Sequence, residues 1–370
     1  MVNPEVGRRA RHIVLLVAAW GLLMPGSGDP RMPGGIARAN AAVPAVPTPG
    51  VNTAGLAVLI GNELIRPDGT RRALDLPSGT TAAAAAQVPG GWVVEAQTER
   101  QRTLHFYGAT GAGRRIGYVR GIWDLTPDGR TLVAVGLTAT PSTAAVNPVV
   151  SAHELPTLRL KAQQRFAGGH GPLIIGTSND RVLLRQAQAT PQTTLAAVWN
   201  LRTNTMQTSA TSAWFWSLGG TATVLRRVDR LDASRRVVGS CVDAVDAASG
   251  TIPLGNTGVC TAVARNTHTG MLSPDGRWAA IAVSTTAASP PAIQLVSVAD
   301  LHAGRWRPVA LGTGRFIQFW DSPSTMIVAT IAGTNVTQQR CDTAARCTTL
   351  RLPPNQGERA PVLVPRFGAR

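Results

Sequence analysis

The chain has 370 residues, 44% hydrophobic and 15% charged, with 36 Lys+Arg against 20 Asp+Glu for a formal net charge of +16. That balance suits anionic envelope polymers or phospholipid head groups. The arginines are dispersed and no DNA- or RNA-binding motif accompanies them, which excludes nucleic acid as the expected partner.

The N-terminus predicts an export signal. Arg8, Arg9, Arg11 and His12 form a positive head, and Ile13–Met24 is an apolar run too short to favour a membrane span. Small residues at Ala37, Ala39 and Ala41 fit an A-x-A cleavage site. Cutting after Ala41 makes residues 1–41 a signal peptide, removes five arginines and two acids, and leaves a charge of +13. The Arg8-Arg9 pair fits twin-arginine export and the rest fits Sec export, so both routes stay open. No cysteine lies near the cut, so no lipid anchor is expected. Residues 42–53 read as a Pro/Ala linker and residues 54–370 as a single domain, secreted or in the extracytoplasmic cell envelope, with no transmembrane span in the mature chain.

Within that domain one phrase occurs twice. Leu125-Thr126-Pro127-Asp128-Gly129-Arg130 and Leu272-Ser273-Pro274-Asp275-Gly276-Arg277 each precede a β-like apolar run, Thr131–Val135 and Trp278–Val283. Proline pre-sets φ for the second turn position, aspartate suits the third, and glycine accepts the positive φ that follows. The copies are 147 residues apart, or about three units of 49, within the range of propeller repeats. Looser copies fall between and around them, at Leu173–Leu184, Phe215–Leu225, Phe319–Ala329 and near Pro89–Glu95. A second hairpin recurs downstream, at Leu104–Gly111, Ala197–Asn204, Val242–Gly250 and Leu295–Gly304, each an alternating strand with a polar turn. One unit is therefore four antiparallel strands, a propeller blade.

Residues 81–352 hold six such units. Asn62–Leu74 resembles only the second hairpin of a blade, and Ala360–Phe367 supplies one more apolar strand. A blade built from both termini closes the ring and hides its edges. The expected fold is an all-β propeller of seven four-stranded blades, with six blades as the alternative. A pair of β-sandwiches is a further all-β reading, but sandwiches do not normally repeat a phrase at this period.

The phrase Ser273-Pro-Asp-Gly-Arg277 before an apolar strand, with Thr126-Pro-Asp-Gly-Arg130 as its partner, resembles the repeat of TolB-like, WD-type β-propellers. The resemblance covers most of the mature chain. It implies the propeller fold and a role in the cell envelope.

The four cysteines allow three pairings. Cys241 and Cys260 lie symmetrically about the Ser249-Gly250-Thr251 turn, and Cys341 and Cys347 about Ala344. Each pair is expected as a disulfide stapling the outer hairpin of a blade. Their spacings are not zinc spacings and no histidine accompanies them.

The candidate ligand residues are His170, His268, Asp124 and Asp321. The two histidines are expected in loops just before inner strands, at the channel mouth. Trp123-Asp124 and Trp320-Asp321 are expected at similar positions on two inner strands, with their acids pointing into the channel. The tryptophans Trp92, Trp123, Trp214, Trp216, Trp278 and Trp320 are expected to fill the wedges between blades. The sequence has no G-x-S-x-G elbow, H-E-x-x-H, Walker loop or Rossmann fingerprint. The expected function is a non-catalytic binding scaffold for a protein or an anionic envelope polymer, monomeric and without cofactor or metal. The alternative is a propeller enzyme, a metal-assisted lactonase or hydrolase, using the four candidate residues in the channel mouth.

Overall fold

A computed structural model describes residues 53–370 except 110–111, 142–148, 167–171, 188–193, 212–213, 221, 232, 235–236, 247–258, 262–265, 285–289, 333–334, 355–359 and 369–370. The proposed signal peptide, most of the linker, and His170 lie outside the described residues.

Why the repeated phrase makes a hairpin is visible atom by atom. In the first copy Gly129 N–H donates to Thr126 O at 2.7 Å and Thr126 N–H to Thr131 O at 3.0 Å. Asp128 Oδ1 accepts from the Arg130 N–H at 3.0 Å and from Thr126 Oγ1 at 2.6 Å. The second copy repeats this with Gly276 N–H to Ser273 O at 2.8 Å and Asp275 Oδ1 accepting from Arg277 N–H at 3.1 Å and Ser273 Oγ at 2.6 Å. Gly129 and Gly276 hold φ of +66° and +73°, which a side chain would strain. Ser178 and Asp180 keep a trace of the same chemistry in a turn without Pro or Gly, where Arg181 N–H donates to Ser178 Oγ at 3.1 Å.

These hairpins build seven four-stranded antiparallel sheets arranged in a ring. Blade 1 combines β1 (Ala57–Ile60), β2 (Glu63–Ile65) and β3 (Arg71–Ala73) with β28 (Val362–Val364). Blade 2 is β4 (Thr81–Val88), β5 (Gly91–Gln97), β6 (Arg102–Gly108) and β7 (Arg114–Tyr118), and blade 3 is β8 (Trp123–Leu125), β9 (Thr131–Val135), β10 (Val149–Glu154) and β11 (Leu160–Arg165). Blade 4 is β12 (Leu173–Thr177), β13 (Arg181–Ala187), β14 (Thr194–Asn200) and β15 (Thr205–Thr211), and blade 5 is β16 (Trp214–Gly219), β17 (Thr223–Leu231), β18 (Val237–Asp246) and β19 (Val259–Thr261). Blade 6 is β20 (Asn266–Leu272), β21 (Trp278–Ser284), β22 (Ala292–Ser297) and β23 (Val309–Thr313), and blade 7 is β24 (Arg315–Trp320), β25 (Thr325–Ala332), β26 (Asn335–Asp342) and β27 (Cys347–Thr349). The seven-bladed expectation holds, and the six-bladed alternative falls.

The termini close the ring. The C-terminal strand β28 pairs with β1 through Ala57↔Val364, Val58↔Leu363 and Leu59↔Val362. The chain then crosses to its neighbours. Gln87 N–H donates to Pro365 O at 2.8 Å, Phe367 N–H to Gln87 O at 2.8 Å, and Gly368 N–H to Pro127 O at 2.9 Å. The tail thus ties blades 1, 2 and 3 together, with Phe367 packed into the seam between blades 2 and 3.

The core lies between the blades rather than within one layer. Seven apolar clusters each bridge two adjacent blades, one per seam. Trp92, Trp123, Trp216, Trp278 and Trp320 all join these clusters, as wedge fillers should; the side chain of Trp214 lies outside what the structure describes. The largest fully buried side chain, Trp199, does the same between blades 3 and 4. Inner strands touch between β28 and β4, β8 and β12, β12 and β16, and β16 and β20, and small residues let them approach. A Cβ on Gly219 would stand 2.8 Å from both Leu272 Cβ and Ser273 O.

One hairpin differs from expectation. Leu295–Gly304 is strand only to Ser297, after which a one-turn helix, Val298–His302, replaces the turn. Ser297 caps it by accepting from the Asp300 N–H at 3.0 Å, and Gly304 leaves it at φ +67°.

Candidate functional site at the blade seams

Strand β8 places Asp124 on the inner strand of blade 3. Its neighbours Trp123 and Leu125 pack toward blade 2, so alternation turns Asp124 toward blade 4. There its Oδ1 accepts from the Leu125 N–H at 2.8 Å, and its Oδ2 lies 3.4 Å from Thr177 Oγ1 on β12. The Thr177 hydroxyl has a better acceptor in Leu125 O at 2.6 Å. The carboxylate therefore receives only the longer, weaker share of that hydroxyl's donation. Burial pushes the Asp124 carboxyl up to about 6, against the lowering effect of these hydrogen bonds. Asp124 is also the single acid on the described inner strands β4, β8, β12, β16, β20, β24 and β28.

Asp321 occupies a different kind of position. The ladder pairs Leu125 with Leu132 and Trp320 with Met326. Trp320 therefore stands where Leu125 stands, and Asp321 where Thr126 stands, at the start of the turn. The expected equivalence of the two Trp-Asp pairs does not hold: the blade 7 pair lies two residues nearer its turn. Asp321 Oδ1 accepts from Thr325 Oγ1 at 2.6 Å. Its Oδ2 lies 2.7 Å from Arg340 Nε, with 2% of the Asp321 side chain exposed. That contact is close in distance but off the N–H direction, so it is an ion pair rather than a directed hydrogen bond.

The structure places His268 inside β20, not in a loop before it, at an irregularity where the register shifts between Thr267 and Thr269. Asp124 and Asp321 thus belong to blades 3 and 7 and are not brought together. Among the described residues no group of three or more His, Cys, Asp or Glu is placed to hold a metal ion.

The cysteines lie on outer hairpins. Cys341 and Cys347 form a disulfide across β26 and β27. Cys241 is disulfide-bonded and pairs in register with Cys260 across β18 and β19.

Sequence reasoning missed two polar networks inside the seams. Arg226 and Asp243 face each other across β17 and β18, on the face that carries Val224 and Val245 toward blade 4. Glu95, 1% exposed, accepts from Arg102 Nε at 2.6 Å and from Trp123 Nε1 of blade 3 at 2.5 Å. The available signal was a charged residue inside an apolar strand, but periodicity alone does not say which face meets a partner. His105 and His153 are likewise structural. Each sits on a third strand beside a hydroxyl, Thr103 or Ser151, at 3.0 Å, and burial lowers both pKa values.

The fold and these seams define a seven-bladed β-propeller. Neither a protein-family model nor a curated protein matches the chain. Solved structures do. Oligopeptidase B from Leishmania major aligns with TM-score 0.56 at 10% identity, over 82% of this chain and 49% of that one. The β-propeller domain of the trilobed protease from Pyrococcus furiosus, described as having an open velcro topology, aligns with TM-score 0.54 at 11% identity, over 78% and 86%. TolB from Acinetobacter baumannii aligns with TM-score 0.46 at 15% identity, over 82% and 78%. At these identities the likeness is one of fold. No helix among the described residues is long and apolar enough to cross a membrane.

Proposed function

We propose that the protein is an exported, non-catalytic binding scaffold, acting as a monomer, that holds a protein or an anionic envelope ligand on the channel-mouth face. One observation carries this reading. The two candidate carboxylates are each consumed locally, Asp124 by Leu125 and the Thr177 seam, Asp321 by Arg340 and Thr325. A seam-filled ring with disulfide-stapled outer hairpins is a rigid support, and such a support presents loops to a partner. The disulfides, the apolar segment behind an Arg-rich head and the basic charge support export and an anionic surrounding. Pull-down from envelope extract with the mature, oxidised chain tests it. Retention of a ligand at low salt that high salt releases supports the scaffold, and no retained ligand at either salt overturns it.

The second reading is a propeller enzyme, a metal-assisted lactonase or hydrolase. It is favoured by one feature, a carboxyl raised to about 6 by burial on the channel side of the ring, since such a group can shuttle a proton near neutral pH. Stoichiometric divalent-metal binding lost in Asp124→Ala would move the assignment to this reading.

A further inference from the structure

The outermost strands of the seven blades do not share their charges evenly. β3, β7 and β11 carry Arg71, Arg72, Arg114, Arg115, Lys161 and Arg165 and no acid. β15, β19, β23 and β27 carry no charged residue at all. The three basic strands belong to consecutive blades, joined at the seams between blades 1 and 2 and between blades 2 and 3. Charged edges guard against strand-to-strand aggregation, but that need applies to all seven edges and does not explain an arc of three.

The arc is also tied across its seams. Arg72 NH1 donates to Gly108 O of blade 2 at 2.5 Å, and its guanidinium lies 5.6 Å from the Trp92 ring and 5.4 Å from the Tyr107 ring. Arg114 of blade 2 donates to Pro156 O of blade 3. Of the acids nearby, Glu63 pairs with Arg71 at 3.0 Å and Glu154 with Arg159 at 2.8 Å, while Asp75, exposed between blades 1 and 2, accepts from the Gly113 N–H at 3.0 Å and partly offsets Arg72. Arg114, Arg115, Lys161 and Arg165 are exposed.

The geometry points to this rim of blades 1–3 as the docking surface for a linear polyanion. The inference rests on the scaffold reading and deepens it, by moving the contact from the channel mouth to the rim and choosing a polymer over a protein. A protein interface is built around an apolar core, and among the described residues the arc exposes one large apolar side chain, Leu160 at 47%. Cations spread over three separate edges match a ligand whose charge repeats along its length. Binding would release counterions and weaken with salt.

Titration of the mature, oxidised chain with linear polyphosphate, repeated at several salt concentrations, tests this. R114Q/R115Q/K161Q/R165Q should weaken binding at least about tenfold and flatten the salt dependence. R202Q/R305Q/R307Q/R346Q removes the same charge from blades 4, 6 and 7 and should weaken it by less than about threefold. K161Q/R165Q, two exposed positions, keeps the test available if the quadruple variant fails to fold, and should show an intermediate loss. Equal losses in both quadruple variants overturn the rim, as does an absence of polyphosphate binding. Binding to phosphatidylglycerol vesicles without polyphosphate binding also overturns it, in favour of a membrane surface. An envelope ligand retained equally by the wild type and the rim variants overturns the rim while leaving the scaffold reading intact.

Discussion

Arg226 and Asp243 form a bidentate ion pair in the apolar seam between blades 4 and 5. Arg226 Nε donates to Oδ1 at 2.7 Å and NH2 to Oδ2 at 2.8 Å, with 1% and 4% of the two side chains exposed. Removing charges from water costs several kcal/mol per ion, and the pair recovers that only while both members are present. Asp243→Ala, which strands a buried guanidinium, should therefore cost about 3–5 kcal/mol. The double replacement Arg226→Met/Asp243→Leu should cost far less. Chemical unfolding of both variants checks this. A double variant as unstable as the single one would contradict it.

Asp124 should make stability depend on pH with a definite sign. Its folded pKa is pushed above the ordinary carboxylate range, to about 6, so the folded state binds the proton more tightly than the unfolded chain. Its burial costs nothing below about pH 3, where both states are protonated; the cost grows from about pH 4 and reaches its full size, about 3 kcal/mol, above about pH 7. His105 and His153 act in the opposite sense, since burial lowers their pKa and their cost grows as pH falls below about 6.5. The difference between wild type and Asp124→Asn isolates the carboxylate. The variant should gain stability relative to wild type as pH rises from 4 to 7. A difference that does not change with pH would show an ordinary, solvated carboxylate.

Strand Val362–Val364 supplies the pairing that closes the ring. Leu363, 3% exposed, packs with Val58, Ile60 and Ile327 where blade 1 meets blade 7. Leu363→Ala should cost about 2–5 kcal/mol and make blade 1 the first part of the ring to open. Limited proteolysis should then cut within residues 53–80 sooner than in the wild type. Unchanged cleavage sites and rates would mean that β28 does not hold the ring.

The Cys341–Cys347 disulfide closes a short loop, with a sequence separation of 6. Chain entropy for so short a loop gives about 2 kcal/mol. Cys341→Ser/Cys347→Ser should lower the unfolding free energy by that much and leave blades 1–3 unaffected. A loss several times larger would give the bond a wider role in the fold.

What the sequence makes legible is local. The Thr126–Arg130 and Ser273–Arg277 turns announce themselves because every hydrogen bond they need lies within six residues. Blade closure is legible because two unmatched half-blades remain at the ends. The inner strand of blade 2 is not: Ala82–Ala86 favours helix on its own, and becomes β4 because it pairs with β5 and packs against β28. The Trp-Asp dipeptides mislead because a dipeptide does not state its distance from the turn: the blade 3 pair ends before the turn, and the blade 7 pair runs into it. The Arg226–Asp243 and Glu95–Trp123 contacts are invisible for a different reason. They join strands and blades whose spacing the sequence does not state.

The scaffold reading stands most directly against calorimetry of the mature, oxidised chain with Mn²⁺, Zn²⁺ and Ca²⁺ in turn, alongside Asp124→Ala. No stoichiometric binding of any of the three is expected, because Asp124 and Asp321 are engaged separately, in blades 3 and 7. One equivalent of metal bound by the wild type and lost in Asp124→Ala would contradict it and make the channel a catalytic candidate.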